Sequence, residues 1–131
     1  MPMNYTIRQA ADVTVLDLSG RLSLGEALAF GPGSAPVLHD LVREQVAEGH
    51  KNILLNLANV NYVDSSGLGE VVACMTSMRN QGGQLRICNV SVRVDDLLKI
   101  THLDKVLNFE KDEAAALEAF KRDQSKSVSA A

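Results

Sequence analysis

The sequence predicts a single α/β domain: a mixed, mainly parallel sheet with helices packed mostly on one face. Apolar, β-branched runs alternate along the chain with segments whose apolar residues recur at helical spacing. Such alternation favours parallel strands joined by right-handed crossovers. The length of 131 residues fits one domain. We place that domain at residues 1–122 and expect the Ser-, Lys- and Ala-rich tail, 123–131, to be disordered.

The first two strands are predicted to form a hairpin. Residues 5–10 alternate weakly, as an edge strand does, and residues 13–18 are rich in β-branched and apolar residues. The two residues between them, Ala11 and Asp12, are enough for a tight turn. An irregular stretch over 25–34 follows, because its Gly-Pro-Gly segment cannot form a regular helix.

Strands and helices then alternate. A first helix starts at Ser34 or Ala35, with Pro36 in its first turn, and ends at Gly49. Its apolar face is Leu38, Leu41, Val42 and Val46. A buried strand over 52–57 and a connection over 59–64 lead to a second helix, which begins near Ser66 and ends at 81–83. The apolar face of this helix is Leu68, Val71, Val72, Met75 and Met78.

The remaining elements are shorter. They are a strand over 84–88, a helix over 92–100, a short strand over 106–109 and a last helix over 112–121. Cys74 and Cys88 lie in apolar segments and are expected to be buried free thiols.

Composition argues against several partners. The net charge is −3 and the 13 Lys and Arg residues are scattered, whereas nucleic-acid binding needs a basic patch. No apolar run approaches the roughly 20 residues of a membrane-spanning helix. The first residues lack the basic and apolar regions of a signal peptide, so we expect a cytoplasmic protein.

One turn concentrates unusual residue types. Asp64, Ser65, Ser66, Gly67 and Gly69 place two hydroxyls, a carboxylate and two glycines at the start of a helix. Helix N-termini leave N–H groups unpaired and carry partial positive charge, so an attached phosphate is accommodated there. Glycines let a partner approach the backbone closely. Helix capping alone favours the same residue types, so the pattern by itself leaves both interpretations open.

Residues 63–69, Val-Asp-Ser-Ser-Gly-Leu-Gly, resemble the signature of STAS domains, specifically of bacterial anti-sigma factor antagonists. The resemblance extends from about Tyr5 to Phe120. Further similar segments are Gly82-Gly83-Gln84-Leu85 before a strand, Leu97-Leu98, and Thr101-His102-Leu103 after it.

The resemblance implies a non-enzymatic switch in transcription regulation. Ser65 would be phosphorylated by an anti-sigma factor that is also a serine kinase, and Ser66 would match the neighbouring Ser or Thr position. The unphosphorylated form would bind the kinase and release the sigma factor, and a metal-dependent serine phosphatase would restore it. Weak homodimerisation is left open. The implied partner-binding residues are Asp64, Ser65, Ser66, Gly67, Leu68, Gly69, Arg21 and Ser23.

The chain departs from that family after the second strand. Typical members have a short loop with a Gly-x-Leu-Asp segment, whereas this chain has Gly20-Arg21-Leu22-Ser23 followed by an added segment, 24–34. The identity of the partner kinase therefore stays open. The alternative function is a STAS interaction subunit of a signalling or lipid-transport assembly that acts without phosphorylation.

Catalysis is not expected. No Gly-x-Ser-x-Gly elbow surrounds Ser65, and none of His39, His50 and His102 is placed by the sequence to serve it as a base. No cysteines have metal-site spacing, and Gly67-Leu68-Gly69-Glu70 lacks the lysine of a phosphate loop. We predict no metal and no cofactor, and leave binding of a nucleotide or other small ligand open.

Overall fold

A computed structural model describes residues 4–22, 38–102 and 109–130. Its strands are β1 (Asn4–Ala10), β2 (Val13–Leu22), β3 (Asn52–Val63), β4 (Gln84–Cys88) and β5 (Phe109–Glu110). Its helices are α1 (Leu38–Ala47), α2 (Ser65–Asn80), α3 (Val92–Ile100) and α4 (Glu113–Ala130). The strands in these ranges form one sheet in the order β1-β2-β3-β4-β5, antiparallel between β1 and β2 and parallel elsewhere. The predicted fold class is confirmed.

The predicted hairpin of β1 and β2 is present. Its strands pair without interruption from Asn4 opposite Ser19 to Ala10 opposite Val13, which leaves a two-residue turn. Ala11 in this turn has φ 55°, in the left-handed region that residues other than Gly, Asn and Asp rarely adopt.

Both faces of the sheet are covered over its centre. The larger core cluster joins one face to α1, α2 and α3, and contains Leu16, Ile53 and Leu55 among its strand residues. The smaller cluster lies beneath α4 on the other face and consists of Val13, Val15, Leu54, Cys88, Ala116 and Phe120. Buried residues therefore run consecutively along the centre of β3, as in other doubly covered strands.

The helices bury the apolar faces that the sequence predicted. Leu38, Leu41 and Val42 of α1 are buried in the larger cluster, and Gly49 beyond its end has φ 94° as predicted for a helix stop. The expected start of this helix and the irregular stretch 25–34 lie outside the described residues. In α2, the predicted face is buried or packed against the same cluster.

Two strands are longer than predicted. β3 continues through 59–63, where the sequence predicted a connection, and β2 continues past Leu18. The reason is mutual pairing, which runs from Ser19 opposite Asn59 to Leu22 opposite Val63. Each of the two strands provides backbone hydrogen bonds to the other, and the local sequence pattern, which is rich in polar residues, does not predict them.

The last helix also runs further than predicted. α4 continues past Lys121 to Ala130, and neither Gly nor Pro interrupts it. The division into a domain at 1–122 and a tail at 123–131 stays a prediction. The predicted last strand appears as Phe109–Glu110, and the preceding residues, 103–108, lie outside the described ranges.

Candidate functional site

Asp64 sets the start of α2. Its backbone is extended, with φ −113° and ψ 179°, and its Oδ1 atom accepts a hydrogen bond from the backbone N–H of Gly67 at 2.8 Å. The N–H of Leu68 donates to the carbonyl oxygen of Asp64 at 3.0 Å. Asp64 is therefore the N-cap, and Ser65 and Ser66 are the first two residues of the helix.

The strand that leads into this turn is irregular. The pairing of β3 with β2 shifts register twice, between Asp17 and Ser19 and between Gly20 and Arg21. Core-facing residues of β3 consequently recur every third position at Leu57, Val60 and Val63. Bulges of this kind redirect side chains and are common beside functional sites.

The second shift brings Arg21 beside Tyr62. The two residues are opposite each other in the register, and the guanidinium carbon of Arg21 lies 4.2 Å from the centroid of the Tyr62 ring. Tyr62 is 38% exposed, so part of the stacked pair is accessible to solvent. Arg21 was predicted for the site and lies at the same end of the sheet as Asp64. Ser23, also predicted, is outside the described residues.

The predicted segment 67–69 divides into buried and exposed positions. The side chain of Leu68 is only 1% exposed and packs in the larger core cluster, and the partner contact expected of this residue stays a prediction. Leu68 begins the apolar face of α2, which explains that burial. Gly67 is buried, whereas Gly69 is exposed and has no atom within 4 Å of the place a Cβ would take.

The family model for the STAS domain matches residues 4–116 of the chain. The chain belongs to the STAS-domain family. It is 29% identical over 108 residues to the anti-sigma-B factor antagonist of Bacillus subtilis, covering 82% of this chain and 91% of that protein.

Solved structures share the fold of this STAS domain. An anti-sigma factor antagonist from Mycobacterium paratuberculosis has a TM-score of 0.72 at 19% identity, over 89% of this chain and 92% of that one. The Bacillus cell fate determinant SpoIIAA, solved in its phosphorylated form, has a TM-score of 0.58 at 17% identity, over 91% and 98% of the two chains.

The order of the described strands in this STAS domain determines whether the sheet has a switch point. In open α/β sheets, ligands bind where the strand order reverses, since helices then diverge to opposite faces. Here the strand order follows the chain order, and α1, α2 and α3 all pack on one face. The described strands therefore lack the switch point at which such folds place a ligand.

The cysteines do not add reactive groups to this surface. Cys74 and Cys88 are buried and free, as predicted. Burial is the main cause that raises the pKa of each thiol to about 12, and nearby carboxylates contribute to this rise, led by Glu70 for Cys74 and by Glu113 for Cys88. Both thiols are therefore protonated at neutral pH, the unreactive form.

Residues 4–22, 38–102 and 109–130 contain no cluster of three or more His, Cys, Asp or Glu side chains suited to a metal ion. None of the helices in them combines the length and apolarity needed to span a bilayer.

Proposed function

We propose that this STAS domain is an anti-sigma factor antagonist, a non-enzymatic cytoplasmic switch that regulates transcription. While Ser65 is unphosphorylated, the domain binds an anti-sigma factor with serine kinase activity. Phosphate on Ser65 ends that binding, and a serine phosphatase restores it. The observation that carries the proposal is the start of α2 at Ser65, with Asp64 as its cap. The name of the Bacillus subtilis relative and the solved phosphorylated form of SpoIIAA support it.

The first helical position suits a phosphate electrostatically. A phosphate carries about −1.5 to −2 charges at neutral pH. The N-terminal end of a helix favours such charge by about 0.3–1 kcal/mol at an exposed position. The carboxylate of Asp64 opposes it, but that carboxylate is already hydrogen-bonded to the N–H of Gly67. We therefore expect phosphorylation of Ser65 to leave the fold and its stability nearly unchanged.

Close approach by the partner gives a reason for Gly69. A glycine inside a helix costs about 1 kcal/mol relative to alanine. Nothing within the described fold demands that glycine, because its Cβ position is open. A partner surface that lies directly on the helix backbone requires a glycine here, because a side chain would keep the two surfaces apart. Arg21 and Tyr62, stacked at the end of the sheet where Asp64 lies, are of residue types enriched among interface anchors.

Control by direct blockade follows from this arrangement. A phosphate at the centre of such an interface is buried against a surface that does not compensate its charge, which is costly. A thousandfold loss of affinity requires only about 4 kcal/mol. No remote conformational change is needed.

Isothermal titration against the source organism's anti-sigma kinase tests the switch. Ser65→Ala is expected to bind as the unmodified protein does and to accept no phosphate. Ser65→Asp is expected to bind more weakly, though less so than the phosphorylated form. Thr76→Asp, exposed further along α2, is the matched control for added charge and is expected to bind normally.

Two results would count against the proposal. Undiminished phosphorylation of Ser65→Ala would assign the modification to another residue, such as Ser66. Equal affinity of phosphorylated and unmodified protein would remove the switch and favour the alternative, a STAS interaction subunit that acts without phosphorylation.

Gly69→Ala tests the contact between the partner and the backbone of α2. We expect this variant to bind the partner more weakly while being at least as stable as the wild type.

A further inference from the structure

The outer edge of β1 has the properties of an association site. β1 is an edge strand of the sheet and pairs with β2 over seven residues without a register shift. Tyr5 and Ile7 are 38% and 42% exposed, two of the most exposed large apolar side chains in the described residues. Monomeric proteins usually protect such edges with bulges, prolines or charged side chains; residues 4–10 contain no bulge and no proline, and their one charged residue is Arg8.

The exposed side chains lie on one face. Tyr5 is opposite Leu18 in the register and Ile7 is opposite Leu16, and both leucines belong to the larger core cluster. Facing residues in paired strands point to the same side of a sheet. Tyr5 and Ile7 therefore extend the apolar layer beneath α1–α3 to the edge of the sheet.

The single charge of β1 lies on the opposite face and is neutralised. Arg8 is opposite Val15, which belongs to the smaller cluster. Its Nη2 atom donates to Asp17 Oδ1 at 3.0 Å and to Glu113 Oε1 at 2.6 Å. Two copies of β1 side by side consequently bring no unpaired like charges together.

The backbone of the free edge is organised for antiparallel pairing. In a hairpin with a two-residue turn, the residues that flank the turn form a hydrogen-bonded pair, and such pairs alternate along the ladder. The flanking pair here is Ala10 with Val13. The N–H and C=O groups of Tyr5, Ile7 and Gln9 accordingly point away from β2, towards the free edge.

We propose that a second copy of this chain occupies that edge, with the two β1 strands antiparallel about a two-fold axis at Thr6. This register places Tyr5 of each copy opposite Ile7 of the other. Both residues then form hydrogen bonds between the copies through the N–H and C=O groups that point away from β2. Aromatic and β-branched residues form favourable cross-strand pairs. A second copy fits better than an unrelated peptide because the strand is complementary to itself in both side chains and hydrogen bonds. This inference is independent of the switch at Ser65.

The contact is small. Two paired strands with few flanking contacts bury less than the roughly 1,200 Å² of a stable interface. The dimer is accordingly weak and in exchange with the monomer.

Sedimentation velocity over a range of concentrations tests the proposal. The wild-type protein is expected to shift from monomer towards dimer as concentration rises. Ile7→Lys is expected to raise the dimer dissociation constant at least about tenfold, because it places a lysine on the free edge. Ile100→Lys on α3 is the matched control, since Ile100 is 75% exposed and lies away from β1. A monomer at every concentration, or equal loss in both variants, would overturn the proposal.

Disulfide trapping tests the register. Thr6→Cys places two thiols at the two-fold axis in a non-hydrogen-bonded pair, where side chains approach most closely. Mild oxidation is expected to give a covalent dimer, and Asp12→Cys, exposed in the hairpin turn, is expected to give far less. The native Cys74 and Cys88 are buried and do not interfere. Equal trapping of the two variants would contradict the register.

Discussion

Ala11 occupies a backbone conformation that costs an L-residue free energy. Its φ of 55° brings its Cβ close to the backbone, at a cost of about 1–2 kcal/mol. Ala11→Gly removes that strain but makes the unfolded chain more flexible, which lowers the free energy of unfolding by about 0.4–1 kcal/mol. We expect a net stabilisation of about 0.5–1 kcal/mol, measured by urea unfolding. A destabilised variant would mean that the turn does not hold Ala11 at positive φ.

Two glycines with opposite surroundings form a second test. A Cβ on Gly83 would lie 2.7 Å from the backbone oxygen of Lys51 and 2.9 Å from Cε of Met78, whereas a Cβ on Gly69 meets nothing within 4 Å. We expect Gly83→Ala to destabilise the domain by about 1–3 kcal/mol. The control, Gly69→Ala, is expected to be neutral or to stabilise by up to about 1 kcal/mol. Thermal unfolding measures the difference between the two variants. Equal melting temperatures would contradict the close packing around Gly83.

At the scale of an element, the caps of α2 and α3 can be compared directly. Asp64 accepts from the N–H of Gly67, and the hydroxyl oxygen of Ser91 accepts from the N–H of Val94 at 3.2 Å. Asp64→Ala and Ser91→Ala should each cost about 1 kcal/mol in free energy of unfolding. If the start of α2 is the partner surface, only Asp64→Ala also weakens partner binding in titration calorimetry. Equal binding by the two variants would limit Asp64 to capping.

Elements with a strong local pattern were predictable, and those completed by a neighbour were not. The strand at 84–88 and the helix at 92–100 coincide with their predictions, because apolar spacing and flanking turn residues mark them. The extension of β3 was missed because Asn59 and Asn61 resemble a loop, and the pairing of β2 with residues on either side of Asn61 is not visible in the sequence. The cap at Asp64 was foreseeable from local chemistry. The stacking of Arg21 on Tyr62 was not, since it depends on a register shift between strands distant in sequence, although an exposed aromatic beside the motif is a usable signal.

At the scale of the whole molecule, one carboxylate links β1, β2 and β3. Asp17 accepts hydrogen bonds from Arg8 and, at 2.7 Å, from Nδ2 of Asn56, while Arg8 also reaches Glu113 of α4. The hydrogen bond from Arg8 is the main reason that the pKa of Asp17 lies below its ordinary value, and the bond from Asn56 adds to it.

This network predicts the acid dependence of stability. A carboxyl group whose pKa is lower in the folded state stabilises the protein above its unfolded pKa, about 3.9 for Asp. That contribution is lost as pH falls through the folded value. We expect Asp17→Asn to be less stable than wild type at neutral pH and to lose less stability below about pH 4. Urea unfolding across this range checks it, with the exposed Asp96→Asn as control. Parallel acid profiles for wild type and Asp17→Asn would contradict the role of Asp17.

The order of strands in the sheet has a consequence for how the chain is made. Each strand pairs with the one synthesised just before it, so the sheet can grow outward from the β1–β2 hairpin as residues leave the ribosome. Pairing between successive segments keeps loop-closure costs low and favours rapid folding. Until α4 emerges, however, the face bearing Val15, Leu54 and Cys88 has no cover. The final helix closes that face, so chains truncated before it expose an apolar surface that favours aggregation.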